Sequence, residues 1–138
     1  MAVVEFSGKN KIVTLLAKAC AEESKKMKIL SGIDIAEVAR IEKLMNSSSR
    51  FLARCFSDSE ITYCQSKAKP AIHFTGRFAA KEAAAKALGL AWKEGLSWKN
   101  IVIESESGNA PVVHFLGYAD EAAAKLGITD ISVSISHC

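Results

Sequence analysis

The residues Arg77-Phe78-Ala79-Ala80-Lys81-Glu82-Ala83-Ala84-Ala85-Lys86-Ala87-Leu88-Gly89 decide how the rest of the chain is read. Nearly all are strong helix formers, and Gly89 stands where a helix stop belongs. Phe78, Ala85 and Leu88 can line a buried face, and Ala79, Ala83 and Ala87 are small enough to let another backbone come close. Glu82 and Lys86 lie four apart and so project from one side; Arg77 and Lys81 repeat that spacing one turn earlier. The expectation is a helix from about Ile72 to Leu88 carrying one carboxylate among three cations.

Taken alone, such a row is a solvated face whose ion pairs contribute only about 0.2–0.5 kcal/mol each. The chain contains its own control: Glu121-Ala122-Ala123-Ala124-Lys125-Leu126-Gly127 repeats the string and the glycine stop. What the second copy lacks is the preceding Arg-Phe-Ala-Ala-Lys, so any specificity resides there.

Outward from this helix, residues 1–6 read as a strand, Ser7-Gly8-Lys9-Asn10 as a turn, and Ile12 to about Lys26 as a helix. Met27 to Ile35 is a second strand, in which Gly32 marks a bend or a close backbone approach. Asp34 stands where an N-cap belongs for a helix over Ile35–Met45, and on residue type alone the cap is the commoner role. Arg50–Phe56 is a short helical piece, and Ser57-Asp58-Ser59-Glu60 is a capping box opening a helix towards Lys67. Pro70 ends that region. Beyond the central helix, Trp98–Ser105 and Pro111–Leu116 read as a hairpin, Tyr118–Leu126 as the control helix, and Ile131–Ser136 as a half-buried strand.

With 138 residues and 24% charged side chains, the chain fits a single globular domain, 1–138. A net charge of +3 lacks the density of a nucleic-acid binder. No apolar run approaches the roughly 20 residues of a membrane span, and Met1-Ala2-Val3-Val4-Glu5-Phe6 lacks a basic signal-peptide start. Cys20, Cys55, Cys64 and Cys138 form no metal-ligand or C-x-x-C spacing, which favours a reduced, cytoplasmic setting.

Three pieces taken together, Gly32-Ile33-Asp34, the Phe-x-x-Lys-Glu-Ala-x-x-Lys of Phe78 to Lys86, and Ser134-Ile135-Ser136-His137, resemble the 4′-phosphopantetheinyl transferases of the small holo-acyl-carrier-protein synthase type. Arg50-Phe51 with Arg54 ahead of the capping box, and Gly108-Asn109-Ala110-Pro111 in the hairpin, agree with it. The resemblance spans roughly Met27 to His137 and implies an α+β fold, a small antiparallel sheet packed on a central helix. It implies transfer of phosphopantetheine from coenzyme A to a serine of apo acyl carrier protein, with Mg²⁺ as cofactor and adenosine 3′,5′-bisphosphate as the second product. By the same resemblance Asp34 and Glu82 hold the metal, and Lys86 reaches the diphosphate or the leaving group. Arg77, Lys81 and His137 become candidates for coenzyme A phosphates, His137 from across a subunit boundary of a homotrimer. Arg40, Lys43, Arg50 and Arg54 become a basic strip for the acidic helix of the carrier protein. His73 and His114 match nothing in the family and read as structural. A module that binds coenzyme A or the carrier without turnover is the rival reading.

The chain departs from the family pattern at both ends. Residues 1–26 precede the usual family start, and the family's last apolar strand, which follows Ser-x-Ser-His, has no counterpart after Cys138. Either the strand at 1–6 fills that slot from the N-terminal side, or 1–26 is an appendage to a shortened domain.

Overall fold

The computed structural model describes residues 2–7, 29–90, 95–105 and 110–136. The expected helix at 12–26, the turn residues Gly108 and Asn109, Trp92 and His137 lie outside the described residues. In chain order the elements are β1 (Ala2–Ser7), β2 (Ile29–Asp34), α1 (Val38–Ser47), α2 (Phe51–Cys55), α3 (Asp58–Gln65) and α4 (Pro70–Ala87). A 3₁₀ turn (Trp98–Asn100), β3 (Ile101–Glu104), β4 (Val112–Phe115), α5 (Tyr118–Leu126) and β5 (Asp130–Ile135) follow.

β1 is the middle strand of a three-stranded antiparallel sheet ordered β2-β1-β5, with Val4 opposite both Gly32 and Val133. The N-terminal strand therefore enters the sheet at its centre. β3 and β4 pair separately, Ile103 opposite Val113. The fold is α+β, with α4 as the rod against which β1, β2, β3, β5, α1 and α3 all pack.

The alanine content of α4 explains that crowding. Ala79, Ala80, Ala83, Ala84 and Ala85 are buried in a core shared with Ile101, Ile103, Val113 and Val133, and Ala119 and Ala123 of α5 close it. Small side chains let strands lie directly on the helix. At Gly32 the approach is tightest: a Cβ there would run into the Ala83 carbonyl oxygen and stand 2.8 Å from the Ala87 amide nitrogen. A second core gathers Ile41, Cys55, Phe56, Cys64 and Phe74 under α1, α2 and α3.

Several local expectations are corrected. Asp34 ends β2 and does not cap a helix; α1 begins at Val38, and its N-cap is Glu37, without a side-chain cap bond. Ile35, expected as the first residue of that helix, is 74% exposed in the connection. Pro70 opens α4 at its first turn, where its missing N–H costs nothing. Trp98–Asn100 forms a 3₁₀ turn before the strand, because the Ser97 and Asn100 side chains cap it reciprocally. The Ser57–Glu60 capping box is present in full. Among the described residues no helix is long and apolar enough to cross a membrane.

Candidate active site

The close packing of Gly32 on Ala83 and Ala87 brings the end of β2 to the last turns of α4. There Lys86 Nζ donates to Asp34 Oδ1 at 2.6 Å and to the Ile33 carbonyl oxygen at 3.3 Å. Two residues 52 apart in the chain thus meet through a cation. The pair faces outward: the Lys86 side chain is 53% exposed and that of Asp34 16%. Glu82, one turn earlier on the same side of α4, adds its charge to that of Asp34 around Lys86. The hydrogen bond that Lys86 donates to Asp34, before either charge, lifts the Lys86 ammonium above the ordinary lysine range. Lys86 is therefore a full cation at any neutral pH, and with Asp34 and Glu82 it forms one polar cluster at the β2–α4 edge.

The other two cations of α4 do not join it. Successive helical residues are turned about 100°, so Arg77 and Lys81 look towards α3 and β3. Lys81 is fully buried. Its ammonium donates to Glu60 Oε2 at 2.8 Å, to the Trp98 carbonyl at 3.0 Å and to the Ile101 carbonyl at 2.6 Å. Three donors on three acceptors leave Lys81 nothing to offer a phosphate. Burial pushes its pKa down, and the Glu60 carboxylate pulls it back up. The expectation of one acid among three cations on a solvated face is thus replaced by two faces with separate tasks.

Arg77 is 4% exposed, with its guanidinium 4.0 Å over the Tyr63 ring and Nη2 donating to Ser105 Oγ at 3.1 Å. Its buried Nε has no hydrogen-bond partner. It borders a cleft of about 150 Å³ lined also by Ser59, Tyr63, Glu104 and Ser105. An unsatisfied buried donor at a cleft wall is an opening for an acceptor.

Arg40 and Lys43 on α1, and Arg50 and Arg54 at either end of α2, are all exposed, and α1 packs on α2. None of the four is in an ion pair among the described residues. His73 stacks edge-on to Tyr63, and half-exposed His114 lies 3.4 Å from Glu104. The described residues hold no group of three or more His, Cys, Asp or Glu side chains able to share a metal, so a carboxylate pair is the most this cluster supplies.

Sequence reasoning missed the second task of Glu60. The capping box was legible, but the same carboxylate also accepts from the Ile103 amide at 3.0 Å and neutralises Lys81. Its spacing from Lys81 carries no local signal for that pairing.

Residues 31–136 match the family model described as the 4′-phosphopantetheinyl transferase superfamily. A holo-[acyl-carrier-protein] synthase of Moorella thermoacetica is 42% identical over 108 residues, covering 78% of this chain and 84% of the relative. Among solved structures, the Helicobacter pylori holo-[acyl-carrier-protein] synthase in complex with coenzyme A is 38% identical, with a TM-score of 0.63 over 78% of this chain and 89% of that one. The Neisseria meningitidis enzyme of the same name gives a TM-score of 0.67 at 30% identity, over 78% and 86% of the two chains.

Proposed function

The chain belongs to the 4′-phosphopantetheinyl transferase superfamily, and from that premise we propose how its own residues perform the reaction. The chain transfers the 4′-phosphopantetheine group of coenzyme A to a serine of apo acyl carrier protein, leaving adenosine 3′,5′-bisphosphate. The observation that carries the reading onto residues is the Lys86–Asp34 contact at 2.6 Å with Glu82 one turn away.

In the transfer the serine oxygen bonds to the phosphorus bearing the pantetheine arm, and the diphosphate bond to the adenosine-side phosphate breaks. The leaving bisphosphate keeps the electron pair, and the serine proton passes to solvent. Little covalent work falls to the protein; its task is to hold the diphosphate and neutralise charge as it develops. Lys86, kept cationic and half-exposed, is placed to take the charge of the leaving group. Asp34 and Glu82 fit a Mg²⁺ ion, which takes one or two carboxylates and completes its shell with water and substrate oxygens. Such an ion supplies positive charge against the diphosphate when bound.

Arg77 is our candidate for a coenzyme A phosphate, supported by its unpartnered Nε at the cleft wall. We assign His137 the same task from across a subunit boundary. Arg40, Lys43, Arg50 and Arg54 meet the acidic carrier protein, so added salt should slow the reaction. A homotrimer is supported by Ile29, Ile33 and Ile35, which leave β2 and its exit with 55–74% exposure. A cytoplasmic setting is supported by Cys55 and Cys64, both free thiols. We also read 1–138 as one domain in which β1 fills the slot of the family's last strand. Deleting residues 1–7 should then produce aggregation; a deletant that stays soluble and active overturns that part.

The deciding assay incubates the protein with apo carrier protein, coenzyme A and Mg²⁺ and reads the carrier by mass spectrometry. The expected result is the gain of one phosphopantetheine group, abolished by chelator. Coenzyme A binding with no mass gain would leave a binding module instead.

A further inference from the structure

The buried pair Glu60–Lys81 lies outside the cluster that faces the substrate, yet it is the most fully bonded polar contact described. Glu60 is 1% exposed and Lys81 0%. One carboxylate oxygen of Glu60 accepts from the Ser57 amide and from Lys81, each at 2.8 Å, and the other accepts from the Ile103 amide at 3.0 Å. Lys81 adds its bonds to the Trp98 and Ile101 carbonyls. Five polar contacts through these two side chains thereby tie together α3 and its cap, α4, the 3₁₀ turn and β3. Stability alone does not call for this, because well-packed apolar residues commonly do as well at such a site. What directional bonds add is a fixed rotation and a fixed height for the helix that bears the lysine.

That helix is the one whose next residue is Glu82. On the opposite side α4 is set against β2 by Gly32, where Ala83 and Ala87 leave no room for a methyl group. The helix is therefore pinned on both flanks of the residue that must face Asp34. We infer that Glu60 and Lys81 are positioning residues which aim Glu82, and Lys86 one turn on, at the Asp34 end of β2. This rests on reading Asp34 and Glu82 as the cation-binding pair. A small turn of α4 about its axis would move the Glu82 carboxylate out of reach of an ion held by Asp34.

The test replaces both charges at once, Glu60→Gln with Lys81→Met, so that no unpaired charge stays buried. Mn²⁺ affinity of the full-length protein with coenzyme A is read by electron paramagnetic resonance, beside circular dichroism, melting and turnover. The folded double variant should bind Mn²⁺ about 10–100-fold more weakly, the range seen when a supporting residue of a metal site is lost. Excess metal should restore part of its turnover. A merely structural pair would lower the melting temperature and leave the metal affinity of the folded protein unchanged, which overturns the inference. Glu60→Asp, which keeps the charge and shortens the arm, gives the same reading without charge removal. Glu82→Gln separates the two layers. If it binds Mn²⁺ like the parent, the cation-site reading itself fails. If it loses Mn²⁺ while the double variant keeps it, only the positioning role falls.

Discussion

α4 and α5 carry the same Glu-Ala-Ala-Ala-Lys string, and only one of them builds a site. On α5, Glu121 and Lys125 are exposed, and only Ala119 and Ala123 are buried. On α4, strands lie against the alanines, and Glu82 and Lys86 emerge where β2 ends in Asp34. The string itself is neutral. What turns it into chemistry is a glycine on a neighbouring strand that lets a second acid arrive.

The sharpest way to break this comparison is to change the two glutamates in parallel. Glu82→Ala should cut transfer by about a thousandfold, the upper range for removing a group aimed at developing charge. Glu121→Ala should leave turnover within a factor of about two, since exposed substitutions away from a site cost little. Loss at Glu121 with none at Glu82 would mean that α5 is the working helix. The lysines repeat the test one step down: Lys86→Gln should lower kcat by about a hundredfold with a smaller change in KM, because its charge matters most as the leaving group forms. Lys125→Gln should do neither.

The glycines come next, and they exchange activity for stability. Gly32→Ala drives a methyl group into the backbone of α4, which cannot swing aside as a side chain would. It should destabilise by about 2–3 kcal/mol and lower activity with it, as Asp34 is carried away from Glu82. Gly127→Ala puts a methyl group at φ +71°, with open space around it. The expected cost there is about 1 kcal/mol with activity untouched, measured by denaturant melts beside the transfer assay.

These contrasts also mark what the sequence could tell. Among the described residues, periodicity and caps place the strands and helices to within a few residues, and a glycine inside a strand pattern predicts the close approach at Gly32. Asp34 was ambiguous because an aspartate before a helix reads as a cap; only the strand running on through it, and α1 starting at Val38, removes that role. Lys81 was misplaced for a related reason. A helical repeat says which residues share a face, but it does not say which face meets solvent. With alanine on every side of α4, the apolar face suggested by Phe78, Ala85 and Leu88 is too weak a stripe to orient it. The orienting partner, Glu60, lies on another helix and is visible only in three dimensions.

A smaller effect sharpens the same contrast from beneath α4. Cys64 is buried on α3, and desolvation, partly opposed by the Arg77 guanidinium, pushes its thiol from 9.0 up to about 11. A raised folded value means the native state holds its proton longer than the unfolded chain. This contribution is whole below pH 9.0 and is lost as pH rises towards about 11. The melting temperature should therefore decline across that window, and Cys64→Ser should flatten part of the decline. At pH 8 peptide mapping should find Cys64 unlabelled by iodoacetamide in the native protein; rapid labelling would mean that α3 is not seated on α4 as described.

The smallest expected effect is the most exacting check on the control helix. Lys125 lies in the last turn of α5, where a cation interacts with the C-terminal carbonyls for about 0.3–1 kcal/mol. No ion pair joins it to Glu121 among the described residues, so the few tenths expected of an i,i+4 pair are not drawn upon. Lys125→Ala also gains slightly in helix propensity. The two terms nearly cancel, and the melting temperature should move by no more than about 2 °C. Whatever remains is an exposed charge effect and should fade in about 1 M salt. At Lys86 the same substitution strips Asp34 of its cation, so its shift should be the larger of the two and more resistant to salt. A bigger, salt-insensitive shift at Lys125 would mean that α5 holds a bonded lysine after all, and the two strings would no longer differ in the way the site requires.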